Sequence, residues 1–264
     1  MLNEPRFQEA LTTWRMGRPL MQRKSVDSTN RLLKRQPIEQ LPHGLLLLAE
    51  HQSHGRGQKH RRWHSETGEN LTFSLALRPS DPTCRKRIPL LSLLAGLAVI
   101  RALEVETPGS MWNIKWPNDV LVEGKKLAGI LTEVTFRGSR IERIILGMGI
   151  NVNQTRFESE HGAATSLKVI TGRQIVREPI LARIVNELEP LYNRWQQADD
   201  ALPSEINRRL RGVGEFVQVQ VDKKKLSDPL KFLGADLQGH LHFLTNDMTL
   251  TTFRHEQIRI DPLS

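Results

Sequence analysis

The sequence predicts an α/β domain followed by a small all-β domain, in a chain of 264 residues. Three observations lead to this fold class. Short apolar runs of strand length are mixed with two long helix-like segments in the first four fifths of the chain. Two glycines, Gly212 and Gly214, then mark a break. Beyond them apolar residues recur at every second position, which is typical of strands. We therefore place a domain boundary near residue 212, with residues 1–211 in the first domain and 212–264 in the second.

The N-terminal part begins with a short helix, on whose face Phe7, Leu11 and Trp14 recur at helical spacing. Asp27 or Ser28 is expected to cap a second helix, because short polar side chains satisfy free amides at a helix start. The predicted elements in order are a helix over 5–16, a strand over 20–26, a helix from 28 to 35, and strands over 44–49 and 70–78.

The middle of the chain contains its longest apolar segment, at residues 88–105, with Pro89 in the first turn of a predicted core helix. A second long helix has Ile180, Ile184 and Leu188 at helical spacing. The remaining predicted elements are strands over 113–116, 120–122, 126–135 and 140–147, helices over 177–197 and 203–210, and short strands from 216 to 260.

Composition limits the class of protein. Apolar residues make up 38% and charged residues 25%, which is typical of a globular chain. The net charge of +9 favours anionic partners, namely a nucleotide, a nucleic acid or an acidic protein. Cys84 is the only cysteine, so an internal disulfide is excluded, which suits a cytoplasmic location. The N-terminus has no signal-peptide core, and the apolar runs are too short or interrupted to predict a membrane span.

One loop combines the residue types that bind an anionic ligand. Residues 50–63 read EHQSHGRGQKHRRW and lie between two predicted strands. The glycines Gly55 and Gly57 allow the backbone to approach a ligand closely. Neighbouring arginines can donate in pairs to a phosphate or carboxylate. Trp63 can cover a flat ligand or anchor the core. The plain alternative is a basic, solvated loop, and His60 at the third glycine position excludes a dinucleotide-binding fingerprint.

Four further motifs occur in a fixed order around this loop. They are VDSTN at 26–30, KWPND at 115–119, KLAGIL at 126–131 and GMGIN at 147–151. Together with the GRG loop, their order and spacing resemble those of the biotin protein ligases, over roughly residues 20–260. The resemblance implies an α+β fold, with a mixed-sheet catalytic domain of the biotin/lipoate-ligase type and a small Src-homology-like β-barrel. Two positions depart from the family pattern: His60 replaces a glycine and Gln58 replaces an arginine.

The resemblance also implies an activity. Family members join biotin and ATP, with Mg²⁺, into biotinyl-5′-adenylate, and then transfer biotin to a lysine of a biotin carboxyl carrier protein. Neither step needs a protein nucleophile, so catalysis rests on positioning and on offsetting negative charge. Only 25 residues precede Val26, so we expect the ligase without a DNA-binding domain. A homodimer is compatible with the resemblance.

The motifs assign residues by resemblance. Lys126, at the head of KLAGIL, resembles the lysine that contacts the biotin carboxyl and acyl phosphate. The predicted catalytic residues are Lys126, Arg56 and Lys115. Asp119 is predicted to help hold magnesium, which relies on substrate phosphates and one or two carboxylates. The predicted biotin contacts are Ser28, Thr29, Asn30, Gln52, Arg56, Gly57, Gln58, Lys126 and Gly129. The predicted ATP and adenylate contacts are Arg56, Arg61, Trp63, Lys115, Asn118 and Asn151.

Several alternatives stay open at this point. A lipoate or octanoyl ligase would share the fold. A nucleic-acid-binding protein would explain the charge, although we find no reading motif. Ser28 to Asn30 can be an ordinary helix cap and Lys126 an exposed hairpin lysine. Four histidines crowd one segment, which suggests zinc, but no cysteine accompanies them and arginines would repel the cation. These histidines are His51, His54, His60 and His64.

Overall fold

The computed structural model describes residues 1–58, 61–157, 163–222, 224–255 and 257–262. The departure from the family pattern at His60 lies outside the described residues. The helices are α1 (Glu4–Ala10), α2 (Thr29–Arg35), α3 (Ile88–Leu103), α4 (Leu167–Thr171), α5 (Arg177–Gln196) and α6 (Leu202–Asn207). The strands of the first sheet are β1 (Leu20–Val26), β2 (Leu46–Gln52), β3 (Leu71–Leu77), β4 (Trp112–Lys115), β5 (Asp119–Val122), β6 (Lys125–Arg137) and β7 (Arg140–Ile150).

The first sheet has seven strands in the order β1-β2-β3-β7-β6-β5-β4. Only β1 and β2 pair in parallel, and the other described pairs are antiparallel. The sheet is therefore mixed, and the predicted α+β class is confirmed. Neighbouring residues of a strand point to opposite faces of the sheet, and β2 has apolar clusters on both faces. On β2, Leu46 and Leu48 join the main core, whereas Leu47 packs with Leu33 of α2 in a second cluster.

Helix α3 is the central core helix, as the sequence predicts. Thirteen of its sixteen residues are buried, so it has no polar face. Gly96 brings the helix close to β4, because a Cβ built there would lie 3.4 Å from Ile114 Cγ1. With the 3-10 turns at its two ends, the helical run Pro82–Glu106 reaches 25 residues and is long and apolar enough to cross a membrane. This run is longer than the apolar segment predicted from the sequence, and 72% of its most apolar stretch is buried inside the fold.

The C-terminal residues form a second, antiparallel sheet. Its strands are β8 (Phe216–Val221), β9 (Lys224–Lys225), β10 (Leu230–Ala235), β11 (Leu241–Leu244), β12 (Leu250–Phe253) and β13 (Ile258–Pro262). The order β12-β11-β10-β8-β13, with β9 beside β8, forms a curled half-barrel. Its apolar side joins the core of the first sheet through Val217 and Phe232. The predicted boundary near residue 212 stays a prediction.

The first helix is shorter than predicted. Helix α1 ends at Ala10, and Trp14 is 84% exposed instead of lying on a helix face with Phe7. The physical reason is a long-range cap from α5: Asn186 accepts from the backbone amide of Thr12 and donates to the carbonyl of Ala10. The carboxylate of Glu189 then accepts hydrogen bonds from the backbone amides of residues 14 to 16. These amides bond to a distant side chain, and the chain turns away from the helix axis.

Candidate functional site

A row of four cross-strand neighbours forms the floor of the candidate site. Lys115 lies opposite Asp119, Asp119 opposite Gly129, and Gly129 opposite Gly149. Directly opposed residues point to the same face of a sheet. Ile114, the neighbour of Lys115, packs against α3, so this row faces the other way. The glycines therefore make a flat surface, with charged side chains on one side of it.

The indole of Trp63 lies on this glycine floor. A Cβ built on Gly149 would overlap Cε2 of Trp63, and one on Gly129 would come within 3.1 Å of Cζ3. The ammonium of Lys126 lies 5.7 Å from the ring centroid, in cation–π range. Trp63 Nε1 is buried and has no hydrogen-bond partner among the described residues. The floor thus accepts a flat aromatic group, and the indole leaves a polar group unsatisfied there.

The two predicted lysines flank one carboxylate. Lys126 Nζ lies 2.7 Å from Asp119 Oδ1, and both side chains are less than one third exposed. Lys115 is exposed and directly opposite Asp119 on the neighbouring strand. The backbone of Lys126 is held on both sides, since its N–H donates to Ala163 and its carbonyl accepts from Thr165. The hairpin therefore brings two cations to one end of the floor.

The other end of the floor presents uncharged, hydrogen-bonded side chains, and we call it the neutral end for these groups. Gln52 Oε1 accepts from the amide of Thr29 at 2.7 Å and from its hydroxyl at 3.1 Å. Ser74 Oγ lies 2.7 Å from Thr29 Oγ1 and 2.6 Å from Asn30 Oδ1. All but Gln52 are buried. Asn30 lies over the next row of the same face, because a Cβ built on Gly147 would overlap its Oδ1.

The expected helix cap at this end is provided by a different residue. Ser28 is the N-cap residue of α2 and is buried, but its hydroxyl makes no capping hydrogen bond. Gln52 caps the helix instead, from the end of β2, by accepting from Thr29. A glutamine from another strand thus ties the VDSTN motif to the start of the GRG loop.

Arg56 lies at the neutral end, and its predicted catalytic role and ligand contacts stay predictions. Its Nη1 donates to both carboxylate oxygens of Glu133, at 3.1 and 3.2 Å. The side chain of Glu133 is only 14% exposed and also accepts from Lys34 at 3.3 Å and from Asn30 at 3.0 Å. Burial raises the pKa of Glu133, but the Asn30 hydrogen bond and the charges of Arg56 and Lys34 outweigh it, so the pKa lies below its usual value.

The rest of the GRG loop is a small hairpin. Trp63 N–H donates to Gly55, and Gly57 N–H donates to the carbonyl of Arg61. The Arg61 side chain is exposed, and Gln58 is half-buried at the hairpin turn. Their predicted ligand contacts stay predictions, as does that of Gly57.

Asn118 and Asn151 make main-chain contacts within the fold. Asn118 Nδ2 donates to the carbonyl of Ile130 at 2.6 Å, and Asn151 Nδ2 donates to that of Thr165 at 3.0 Å. Both amides therefore hold segments that border Lys126. Their predicted role in adenylate binding stays a prediction.

The structure bears on both metal hypotheses. Among the residues that the structure describes, no three or more histidine, cysteine, aspartate or glutamate side chains are grouped to hold a metal ion. This applies to His51, His54 and His64, while His60 lies outside the described part of the chain. Asp119 is a single carboxylate, which fits only a magnesium ion held mainly by substrate phosphates.

Sequence reasoning missed four residues of the site: Glu133, Ser74, Gly147 and Gly149. A signal for two of them was present, because Gly147 and Gly149 lie two apart in the GMGIN motif and must face the same side of a strand. Glu133 is two residues beyond Leu131 and four beyond Gly129, which also places it on this face. No local pattern identified Ser74.

The chain is similar in sequence to known proteins. The model of the biotin/lipoate A/B protein ligase family matches residues 23–151. The bifunctional ligase/repressor BirA of Bacillus subtilis is 38% identical over 197 residues, which is 74% of this chain and 60% of that protein. The biotin–[acetyl-CoA-carboxylase] ligase of Mycobacterium tuberculosis is 35% identical over 185 residues, or 67% of this chain and 65% of that protein. The chain thus spans less than two thirds of either relative.

Solved structures extend the match to almost the whole chain. The biotin protein ligase of Aquifex aeolicus in complex with biotin and ATP superposes with a TM-score of 0.78 and 29% identity. The match covers 92% of this chain and 99% of that one. The resemblance therefore includes the curled C-terminal sheet as well as the seven-stranded one.

Proposed function

Because the chain belongs to the biotin/lipoate A/B protein ligase family, we propose that it acts as an ATP-dependent biotin protein ligase. One observation carries this proposal: a flat glycine floor lies between a cationic end and a neutral hydrogen-bonding end. Biotin has the same order of parts. Its fused rings are compact, its ureido group is neutral, and its carboxylate is anionic.

The neutral end suits the ureido group. That group offers one carbonyl acceptor and two N–H donors, which need matching donors and acceptors. Thr29, Asn30 and Gln52 supply hydroxyl and amide groups there, already held in place by hydrogen bonds. No charged group is needed for recognition, so selectivity rests on the pairing of these polar groups.

The cationic end suits adenylate formation. A biotin carboxylate oxygen attacks the α-phosphorus of ATP, the bond to the bridging oxygen breaks, and pyrophosphate leaves. Negative charge collects on the phosphoryl oxygens between the reactants. Lys126 and Lys115 offset this charge, and a compact ammonium suits an oxygen whose charge changes during the step. Asp119 holds Lys126 in this position until the ligand binds.

Asp119 is also the carboxylate that would help hold Mg²⁺ beside the phosphates. The ion, when bound, would offset phosphate charge and orient the triphosphate. Its place next to Lys126 fits this assignment, because a lysine and a metal ion can share one carboxylate at a phosphate site.

The second step transfers biotin to a carrier domain. A lysine amine of the acceptor attacks the carbonyl carbon of the mixed anhydride, the bond to the phosphate oxygen breaks, and AMP leaves. The amine proton is lost to solvent or phosphate. The net charge of +9 favours an acidic acceptor surface, which supports a biotin carboxyl carrier domain as partner. A homodimer and a cytoplasmic location stay predictions.

The family description also covers lipoate ligases, and the neutral end separates the two. The dithiolane ring of lipoate has no N–H or carbonyl groups, so it would leave the buried groups of Thr29 and Asn30 without ligand partners. This network favours biotin. The nucleic-acid-binding alternative is not favoured by the comparisons.

Mass spectrometry of a biotin carboxyl carrier domain tests the proposal. Incubation with the enzyme, biotin and ATP should add one biotinyl group to a single lysine. The same mixture with lipoate or octanoate in place of biotin is the matched control and should leave the carrier unmodified. Acylation by lipoate but not by biotin would contradict the proposal.

A further inference from the structure

Glu133 occupies a central position that neither the family motifs nor the reaction chemistry assigns. It lies on β6 and faces the floor, because its neighbour Thr132 bonds to Ser92 of α3 on the other face. Its carboxylate accepts hydrogen bonds from three residues of two elements: Asn30 and Lys34 of α2, and Arg56 of the GRG loop. A largely buried carboxylate is costly unless it is paired in this way.

The contact with Asn30 determines which way its amide faces. Nδ2 donates to Glu133 Oε2 at 3.0 Å and to the carbonyl of Leu131 at 3.2 Å. Oδ1 faces Ser74 and the glycine row. A flipped amide would place Oδ1 against two acceptor oxygens, which is repulsive. Glu133 therefore presents Asn30 as an acceptor toward the floor, which suits a ligand N–H group.

The contact with Arg56 determines where the loop is held. Glu133 is four residues along β6 from Gly129, about 13 Å at 3.3 Å per residue. Arg56 is thus fixed over the neutral end, away from Lys126. Arg56 also pairs with Arg62 across the hairpin, so this ion pair fixes the loop strand that lies at the neutral end.

We propose that Glu133 is a positioning residue for biotin binding: it orients Asn30 toward the ureido group and anchors the GRG loop through Arg56. This inference rests on the proposed function and names the residue that prepares its ligand site. Glu133 does not touch the reacting carboxylate or phosphate. Its loss should therefore raise the KM for biotin and leave the chemical step nearly unchanged.

Two variants and one control test this role. Glu133→Ala removes both contacts, and the KM for biotin in pyrophosphate release should rise at least about tenfold, with kcat within about threefold of wild type. Glu133→Gln keeps an acceptor for Asn30 but removes the charge, and its KM should lie between those of wild type and Glu133→Ala. Lys34→Met removes only the half-exposed partner and should leave KM within about twofold.

The outcomes separate this inference from the proposed function. A wild-type enzyme without biotin-dependent pyrophosphate release would overturn both. An active wild type would leave the function in place, and an unchanged KM for biotin in Glu133→Ala would then overturn the inference alone. Equal changes in KM for biotin and ATP, with a fall in kcat, would show a merely structural role and would also overturn it. The folded state of each variant is checked by its melting temperature.

Discussion

At the residue scale, the two ends of the site offer different groups to a ligand: lysine ammonium groups at one end, and buried hydroxyl and amide groups at the other. Lys126 and Lys115 flank Asp119 at one end of the glycine row, and Thr29 and Asn30 lie in a neutral network at the other. A single ligand that is neutral at one end and anionic at the other satisfies both. Strand register contributes to this order, since Gly147, over which Asn30 lies, is one row along the same face from Gly149.

We expect Lys126→Ala to slow biotinyl-adenylate formation by about 100- to 1,000-fold, because charge stabilisation at a reacting oxygen is commonly of this size. The measurement is biotin-dependent pyrophosphate release. Lys125→Ala is the control, since Lys125 is the exposed neighbour on the same strand. A well-folded Lys126→Ala enzyme with near-normal release would contradict the assignment.

We expect Gly149→Ala to weaken biotin binding at least about tenfold, because the added methyl group fills the floor on which a flat ligand lies. The KM for biotin is the measurement. In the ligand-free enzyme the same methyl displaces the Trp63 indole. The double variant Trp63→Ala/Gly149→Ala separates the two effects. If Gly149→Ala raises the KM for biotin equally in wild type and in Trp63→Ala, the ligand itself contacts the methyl group.

At the element scale, the GRG loop is better anchored than its composition indicates. Glycines and long charged side chains predict a segment with little apolar area to hold it. The structure adds two anchors, namely the Trp63 indole on the glycine row and the Arg56–Glu133 ion pair. The loop therefore has a defined resting position, from which the indole must move if biotin is to reach the floor.

We expect biotin with ATP to protect the loop from protease, since a closed loop shields the anhydride from water. Limited trypsin digestion, with cleavage at Arg61 and Arg62 followed by mass spectrometry, is the measurement. Arg56→Ala should speed this cleavage in the absence of ligand, because it removes one anchor. Equal cleavage with and without biotin and ATP would contradict loop closure.

The departure from the family pattern in the same loop gives a separate prediction. Histidine restricts the backbone more than the usual glycine, so His60 should reduce the entropy lost on closing. We expect His60→Gly to release the adenylate faster, as measured by its dissociation rate. Slower release would instead indicate that histidine strains the closed loop.

At the scale of the whole molecule, ion pairs join helices α3, α5 and α6. Glu205 of α6 accepts from Arg194 of α5 and Arg101 of α3. The hydrogen bond from Arg194 is the main cause that lowers the pKa of Glu205, and burial opposes it. A carboxylate whose folded pKa is lowered stabilises the fold above its unfolded value of 4.5. That contribution is lost as the pH falls through the lower folded value.

We expect Glu205→Gln to lower the melting temperature at pH 7 by about 2–6 °C, for a loss of roughly 1–2 kcal/mol. The difference from wild type should shrink as the pH falls below 4.5, because wild type then loses the same charge. Thermal unfolding between pH 7 and pH 3 measures both effects. A difference that is constant over this range would contradict the ion-pair explanation.

The sequence by itself determined most of the elements and several of the residues that meet at the site. Hydrophobic periodicity identified the apolar core helix, the strands of the first sheet and the change to period two after Gly214. Its motifs selected Lys126, Asp119 and Thr29, which the fold brings to one face. Such features are local, since spacing and side-chain type decide them.

Only the tertiary structure decided which side chains pair. Arg56 pairs with Glu133, 77 positions away in the sequence, and Gln52 caps a helix that begins 23 positions earlier. Glu189 accepts a hydrogen bond from the backbone amide of Trp14, 175 positions away. These contacts depend on strand order and register, which the spacing of residues within one segment of the sequence does not specify. For the same reason the sequence motifs did not identify Glu133 as the partner of Arg56. The physical difference is that a residue's type sets what it can bind, whereas the fold sets what it meets.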